Sequence, residues 1–150
     1  MIKSQSEAWN RALDLLSRRE HSVLELSRKL RSKGAEEGWI DPLLERLVEE
    51  GWLSETRFAE SFTRSRVAKG VGPYRIRREL QERGVAEYDI EQAIAPFAAD
   101  WERIAIMVKE KKFGTEPAEE FRERARQQRF LQYRGFTHEQ IQVAVEHCKR

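Results

Sequence analysis

The side chains that carry most enzyme chemistry are scarce in this sequence and badly spaced for it. Three histidines, His21, His138 and His147, fall at expected helix starts or near the end, without metal-ligand spacing. The single cysteine, Cys148, adjoins His147. Neighbours on a helix point about 100° apart, and a nucleophile–base pair needs a third group to orient it. Gly70-Val71-Gly72 lacks the third glycine of a dinucleotide fingerprint; Arg75 stands in its place, and no strand is expected before it. No Gly-x-x-x-x-Gly-Lys-Ser/Thr run is present to cradle a nucleotide phosphate. Acidic pairs such as Glu36-Glu37, Glu49-Glu50 and Glu119-Glu120 read as solvated helix ends. The expectation is a protein with no catalytic centre, no cofactor and no metal, which leaves arginine as the residue to follow.

Three arginines recur in one pattern, Arg-x-Leu-x-x-Lys/Arg-Gly. They lie in Arg28-Lys29-Leu30-Arg31-Ser32-Lys33-Gly34, Arg78-Glu79-Leu80-Gln81-Glu82-Arg83-Gly84 and Arg129-Phe130-Leu131-Gln132-Tyr133-Arg134-Gly135. The glycines are 50 and 51 residues apart. Six residues after each comes Ile40, Ile90 or Ile141, and four further on Leu44, Ile94 or Val145. A repeat of this length signals a stacked helical array.

The elements follow from periodicity and punctuation. Trp9, Ala12, Leu13 and Leu16 have helical spacing, Ser22 with Glu25 forms a capping box, and Gly34 stops the second helix. Asp41-Pro42 reads as an N-cap followed by proline at the first helical position, and Gly51 as the end of that helix. The second repeat runs from Ser54 through Phe58, Phe62 and Val67 to Gly70. Gly72-Pro73 opens the next helix, which stops at Gly84; Asp89 with Gln92 suggests another capping box, and Pro96 a close. The third repeat starts near Asp100, breaks at Gly114-Thr115-Glu116-Pro117 and resumes to Arg134; Gly135 stops that helix, and Thr137 with Gln140 caps the last. No stretch alternates with period two, so no sheet is expected. The expected fold is all-α: three tandem three-helix repeats, 1–52, 53–98 and 99–150, stacked into an elongated, curved array. Units of about 50 residues are near the lower limit for a self-sufficient core and should lean on one another.

Within the repeat, some positions belong to the fold. Leu30, Leu80 and Leu131 anchor a core face, and Gly34, Gly84 and Gly135 permit a left-handed helix stop. Lys33, Arg83 and Arg134 sit in a last turn, where a cation complements the helix dipole. The four tryptophans, Trp9, Trp39, Trp52 and Trp101, read as packing residues. Arg28, Arg78 and Arg129 are different. Each lies two residues before its leucine, about 200° around the helix, facing away from the core. Arg75 precedes Arg78 by three residues, Arg77 lies in the same run, and Arg64 and Arg66 add charge at the end of the helix before it. These seven arginines are the candidate partner-binding residues, with Glu82 on the same face as an opposing charge.

Composition bounds the rest. The chain has 150 residues, 36% of them charged, and a net charge of only +2. The sign nevertheless alternates in blocks: +4 over 1–34, −6 over 35–63, +5 over 64–85, −5 over 86–102 and +4 over 103–135. Screening over about 8 Å at physiological salt means that a partner feels these patches, not their total. Mean hydropathy is −0.76. No apolar run approaches a membrane span and none follows Met1 as a secretory signal, so no membrane association is expected. A lone cysteine suits a reducing, cytoplasmic setting.

These residues resemble the RecX family, regulators of the bacterial RecA recombinase, over nearly the whole chain. The most specific stretches are Gly51-Trp52-Leu53-Ser54-Glu55-Thr56-Arg57-Phe58-Ala59, Gly70-Val71-Gly72-Pro73-Tyr74-Arg75-Ile76-Arg77-Arg78-Glu79-Leu80 and Arg83-Gly84-Val85. Arg129–Phe136 resembles the family's C-terminal pattern. Trp52 stands where tyrosine is common, and Ser54 where an aspartate is often nearby; both keep the local chemistry. The resemblance implies tandem three-helix units and a non-enzymatic monomer that binds RecA and its filament on single-stranded DNA. It also implies mainly inhibition of ATP hydrolysis, strand exchange and coprotease function, with at most weak direct DNA contact. Arg64, Arg66, Arg75 and Arg78, joined by Arg28 and Arg129, would face filament carboxylates or DNA phosphate. Two other readings remain open from the residues. One is a DNA-binding helical module acting without a recombinase, the other a helical adaptor whose arginines serve only solubility.

Overall fold

Helix ends in this chain are set by a few local devices, and these fix the element order. The computed structural model describes residues 1–148. Among them it has nine α-helices, one 3₁₀ turn and no strand. They are α1 Gln5–Arg18, α2 Val23–Ser32, α3 Glu37–Glu49, α4 Glu55–Ala68, α5 Pro73–Glu82, α6 Glu87–Ile94, α7 Trp101–Phe113, α8 Phe121–Arg134 and α9 His138–Glu146, with the 3₁₀ turn at Ala95–Phe97. Ser4, Ser22, Ser54 and Thr137 accept from backbone N–H groups at the starts of α1, α2, α4 and α9. The Ser22 and Thr137 caps are full capping boxes with Glu25 and Gln140.

The repeated leucine–glycine motif is one closing device used three times. The N–H of Ala35, Val85 and Phe136 returns to the carbonyl of Leu30, Leu80 and Leu131, at 3.1, 3.1 and 3.2 Å. The glycine N–H returns to the carbonyl three residues before it. This six-to-one closure satisfies carbonyls that a helix end leaves open, and it needs a left-handed residue at the glycine. Gly34, Gly84 and Gly135 have φ of +91°, +77° and +98°. The leucine side chains are fully buried, and the apolar residue after each glycine is buried too.

Two expected helix starts are displaced. α3 begins at Glu37, not at Asp41-Pro42, and Pro42 lies inside it. Ile40 belongs to the same buried stripe as Leu43, Leu44 and Leu47, so the helix must already be formed at Ile40 to bury it. The cost is one missing N–H at Pro42. α6 begins at Glu87, so Asp89 is inside its first turn and is no N-cap; its carboxylate instead accepts from the Thr56 hydroxyl at 3.0 Å. α6 ends at Ile94, and Pro96 sits in the 3₁₀ turn after it. In all three repeats the helix starts three residues beyond the motif glycine, at Glu37, Glu87 and His138. Trp52, expected in packing, is 52% exposed, because the turn at Gly51 carries it off the α3 face.

The chain gathers into two compact units. The first comprises Met1–Ser61 with Leu80–Ile90, the second Phe62–Glu79 with the chain from Glu91 on. The division runs through α4, α5 and α6. In the first unit α1, α2 and α3 enclose Ala8, Ala12, Leu26, Leu30, Ile40 and Leu47, with Trp9 and Trp39 packed against that cluster. Each fully buried leucine is worth about 1.5–3 kcal/mol. In the second, α7, α8 and α9 pack together and bury Trp101, Ile104, Leu131, Ile141 and Val145. Phe113 and Phe130 meet edge to face at 5.3 Å between centroids.

Candidate partner-binding surface

The basic segment is positioned in the second unit by a backbone joint between α5 and α8. Pro73 at the first position of α5 has no N–H to satisfy. The N–H groups on either side of it donate to the open end of α8: Gly72 to the Arg134 carbonyl at 2.7 Å, and Tyr74 to the Gly135 carbonyl at 2.9 Å. A helix start thus meets a helix stop, each supplying what the other lacks. The approach leaves no room for side chains. A Cβ on Gly72 would stand 2.5 Å from the Gly135 carbonyl carbon, and one on Gly135 would stand 2.3 Å from Arg75 Cβ. Arg134 completes the joint by donating to the Lys69 carbonyl at 2.8 Å, so it serves the end of α4 as well as its own helix dipole.

That joint sorts the arginines. Arg66 on α4 donates two parallel hydrogen bonds to Glu79 on α5, at 3.0 and 2.9 Å, with both side chains mostly buried. Arg75 comes to 3.8 Å from the same carboxylate, donates weakly to the Tyr133 carbonyl at 3.4 Å, and lies over the Tyr133 ring at 5.1 Å. Arg77 pairs with Glu91 on α6. These three guanidinium groups bind helices to one another. Arg28, Arg64, Arg78 and Arg129 are exposed. Arg28, Arg64 and Arg129 have no ion pair among the described residues. Arg28 belongs to the first unit, the other six to the second.

Beside Arg78 the second unit has a groove of about 420 Å³ whose lining includes Tyr74, Arg75, Arg78, Gln128 and Tyr133. Tyr74 is 62% exposed and Tyr133 74%. Guanidinium groups, carboxamides and exposed tyrosine side chains suit a partner offering carboxylates, phosphates or planar groups. The tyrosines are the residues that sequence reasoning missed. Their signal was present, since each stands next to an arginine, in Tyr74-Arg75 and Tyr133-Arg134.

The first unit buries a cluster of titratable groups. His21 is buried; its Nδ1 faces the Arg19 carbonyl at 3.1 Å and its Nε2 faces Lys29 Nζ at 2.8 Å. This is a neutral imidazole donating from Nδ1 and accepting at Nε2, and burial pushes its pKa down, aided by the Arg19 and Lys29 charges. Burial would raise the Glu25 carboxyl, but bonds from Arg19 and the Ser22 N–H outweigh it and hold the group low. Arg83 adds a second cation at 3.7 Å. Glu55 accepts from the Val23 N–H at 2.6 Å, and its burial pushes its pKa up. Among the described residues no three His, Cys, Asp or Glu side chains gather as a metal site. No helix there is long and apolar enough to cross a membrane.

Family models of the first, second and third three-helix domains of RecX match residues 8–47, 54–94 and 100–145. The chain belongs to the RecX family. Its three-helix domain models cover the repeats that the arginine–leucine–glycine motif marks. The sequence is 51% identical over 130 residues to the regulatory protein RecX of Pseudomonas putida (strain GB-1), covering 87% of this chain and 83% of that protein. It is 48% identical over 134 residues to that of Halorhodospira halophila, covering 89% and 83%. A crystal structure of RecX from Lactobacillus salivarius shares the fold, with a TM-score of 0.78 at 22% identity, covering 95% of this chain and 94% of that one. A second RecX crystal structure gives 0.80 at 25% identity, covering 93% and 70%. The resemblance on which the sequence reading rested is thus shown, as is the all-helical three-helix repeat.

Proposed function

We propose that this RecX protein binds the RecA recombinase and its filament on single-stranded DNA and holds down their ATPase, recombination and coprotease activities. It does so as a non-enzymatic, cytoplasmic monomer. The observation that carries this is the near-half identity to proteins named regulatory protein RecX over more than four-fifths of their length. The distribution of arginines supports it. Arg66, Arg75 and Arg77 secure the three-helix unit around α5. Arg78, Arg64 and Arg129 present charge outward, with Arg28 doing so in the first unit. The acidic blocks at 35–63 and 86–102 suit a partner surface of both signs better than naked DNA. The three-helix units, 1–52, 53–98 and 99–150, would each offer one motif arginine to successive filament subunits.

One observation favours a second reading: Tyr74 and Tyr133 stand exposed beside arginines, as in proteins that stack single-stranded bases. Anisotropy with labelled oligo-dT, free or coated with RecA, separates the two at low and moderate salt. The regulator reading predicts at least about tenfold tighter binding to the coated strand, with a shallow salt slope. Equal affinity for bare DNA, falling steeply with salt, would replace it with the DNA-binding module.

A further inference from the structure

The second unit has another cleft, of about 570 Å³, within the range of ordinary ligand sites. Its floor is apolar: Val67, Phe97, Ile104, Met107, Val108 and Phe130. Met107 is 57% exposed, open for contact. The rim is cationic, with Lys69, Lys111, Lys112, Arg103 and Arg134. Asp100 is the one carboxylate in the lining, and Arg103 faces it at 3.6 Å. The ammonium groups of Lys69, Lys111 and Lys112 have no carboxylate partner among the described residues. An apolar trough edged by uncompensated cations is complementary to a helix with apolar side chains on one face and carboxylates beside them.

We infer that this cleft docks an acidic amphipathic helical segment of a protein partner, with its apolar residues at i, i+3 or i+4 over Met107 and Val108 and its carboxylates on the lysine rim. Nucleic acid fits it poorly. The floor is mostly aliphatic, and Phe130, one of its two aromatics, already carries Lys112 at 5.4 Å and Arg134 at 5.2 Å from its ring centre, where a stacking base would compete with them. This cleft shares no lining residue with the Tyr74–Tyr133 groove.

The test titrates the full chain with a panel of synthetic helical peptides carrying Glu and Asp around Leu, Phe or Trp anchors, followed by amide chemical shifts. Two controls are a peptide with the same anchors and Lys in place of the acids, and an acidic peptide with Ala in place of the anchors. A third is dT20. Saturable shifts at 67–70 and 104–112 are expected with the acidic amphipathic peptides, with both peptide controls at least about tenfold weaker. Met107→Glu and the double variant Lys111→Glu/Lys112→Glu should each weaken binding at least about tenfold, with the helical spectrum unchanged. Absence of shifts across the panel would overturn the inference. So would tighter binding of dT20 at these residues, or the same shifts on raising the protein concentration alone, which would mark a contact between copies of this chain.

Discussion

The turns at Gly84 and Gly135 are built from one motif, with the same six-to-one closure and the same left-handed glycine. They differ in what stands against them. At Gly84, in the first unit, an added Cβ would meet Leu24 Cβ and Cδ2 at 3.1 Å, a crowding of only a few tenths of an ångström. At Gly135, in the second, it would meet the Arg75 backbone nitrogen at 2.7 Å and Cβ at 2.3 Å, which cannot shift without moving α5. One motif thus serves as a local helix stop in one place and as a joint between two helices in the other. The joint places Arg75, Arg78 and Tyr74 beside Tyr133. The functional weight of a repeat position therefore depends on its neighbours more than on the repeat.

Substitutions break this comparison in a defined order. Gly135→Ala should be the most damaging, costing about 3 kcal/mol or more, because strain at a left-handed residue adds to overpacking against backbone. Thermal denaturation should show a fall of several degrees and a collapse of the Tyr74–Tyr133 groove. Next comes Arg66→Ala. It removes two charge-assisted hydrogen bonds from the mostly buried Glu79 carboxylate and should cost about 1.5–3 kcal/mol in urea unfolding. Gly84→Ala should cost about 1–2 kcal/mol, mostly the left-handed strain, since the Leu24 contact at 3.1 Å is crowded by only a few tenths of an ångström. A cost at Gly84 equal to that at Gly135 would erase the distinction drawn between the two turns.

The smallest effect sharpens the comparison by pH. His21 has its folded pKa below the unfolded value of about 6.5. Below that value the unfolded chain takes up a proton that the folded chain resists, so stability is full above about 6.5 and falls as pH drops through the window beneath it. Glu55, with its raised pKa, opposes this loss at more acid pH. Urea midpoints of the parent and of His21→Gln, compared between pH 7.5 and 5.5, should show a steeper loss in the parent. Parallel pH dependences would mean that His21 takes up its proton freely in the folded chain.

What was legible in the sequence was local. The Ser22 and Thr137 capping boxes and the leucine–glycine stops each lie within a few residues, and each forms as read. The start of α3 was misread because a strong local signal, Asp41-Pro42, competed with burial of Ile40, and burial won. Lys109 was unreadable for the opposite reason. A charge in a helix reads as solvated, yet it is 1% exposed and ties the Gly114 and Glu116 carbonyls at 3.0 and 2.8 Å. The Glu79 pair and the Gly72–Gly135 contact join residues 13 and 63 apart. Nothing local announces them, so Arg66 stands with Arg78 among the candidates in sequence, and only the fold pairs Arg66 with Glu79.

That separation is most directly tested by ATP hydrolysis of a RecA filament on single-stranded DNA, titrated with the parent protein and with Arg64→Glu/Arg78→Glu. The account predicts that the parent inhibits well below one protein per recombinase monomer, and that the double variant, folded by circular dichroism, needs at least about tenfold more. Inhibition by the variant at the parent's concentration would contradict the role given to these arginines. No inhibition by the folded parent would contradict regulation of the recombinase itself.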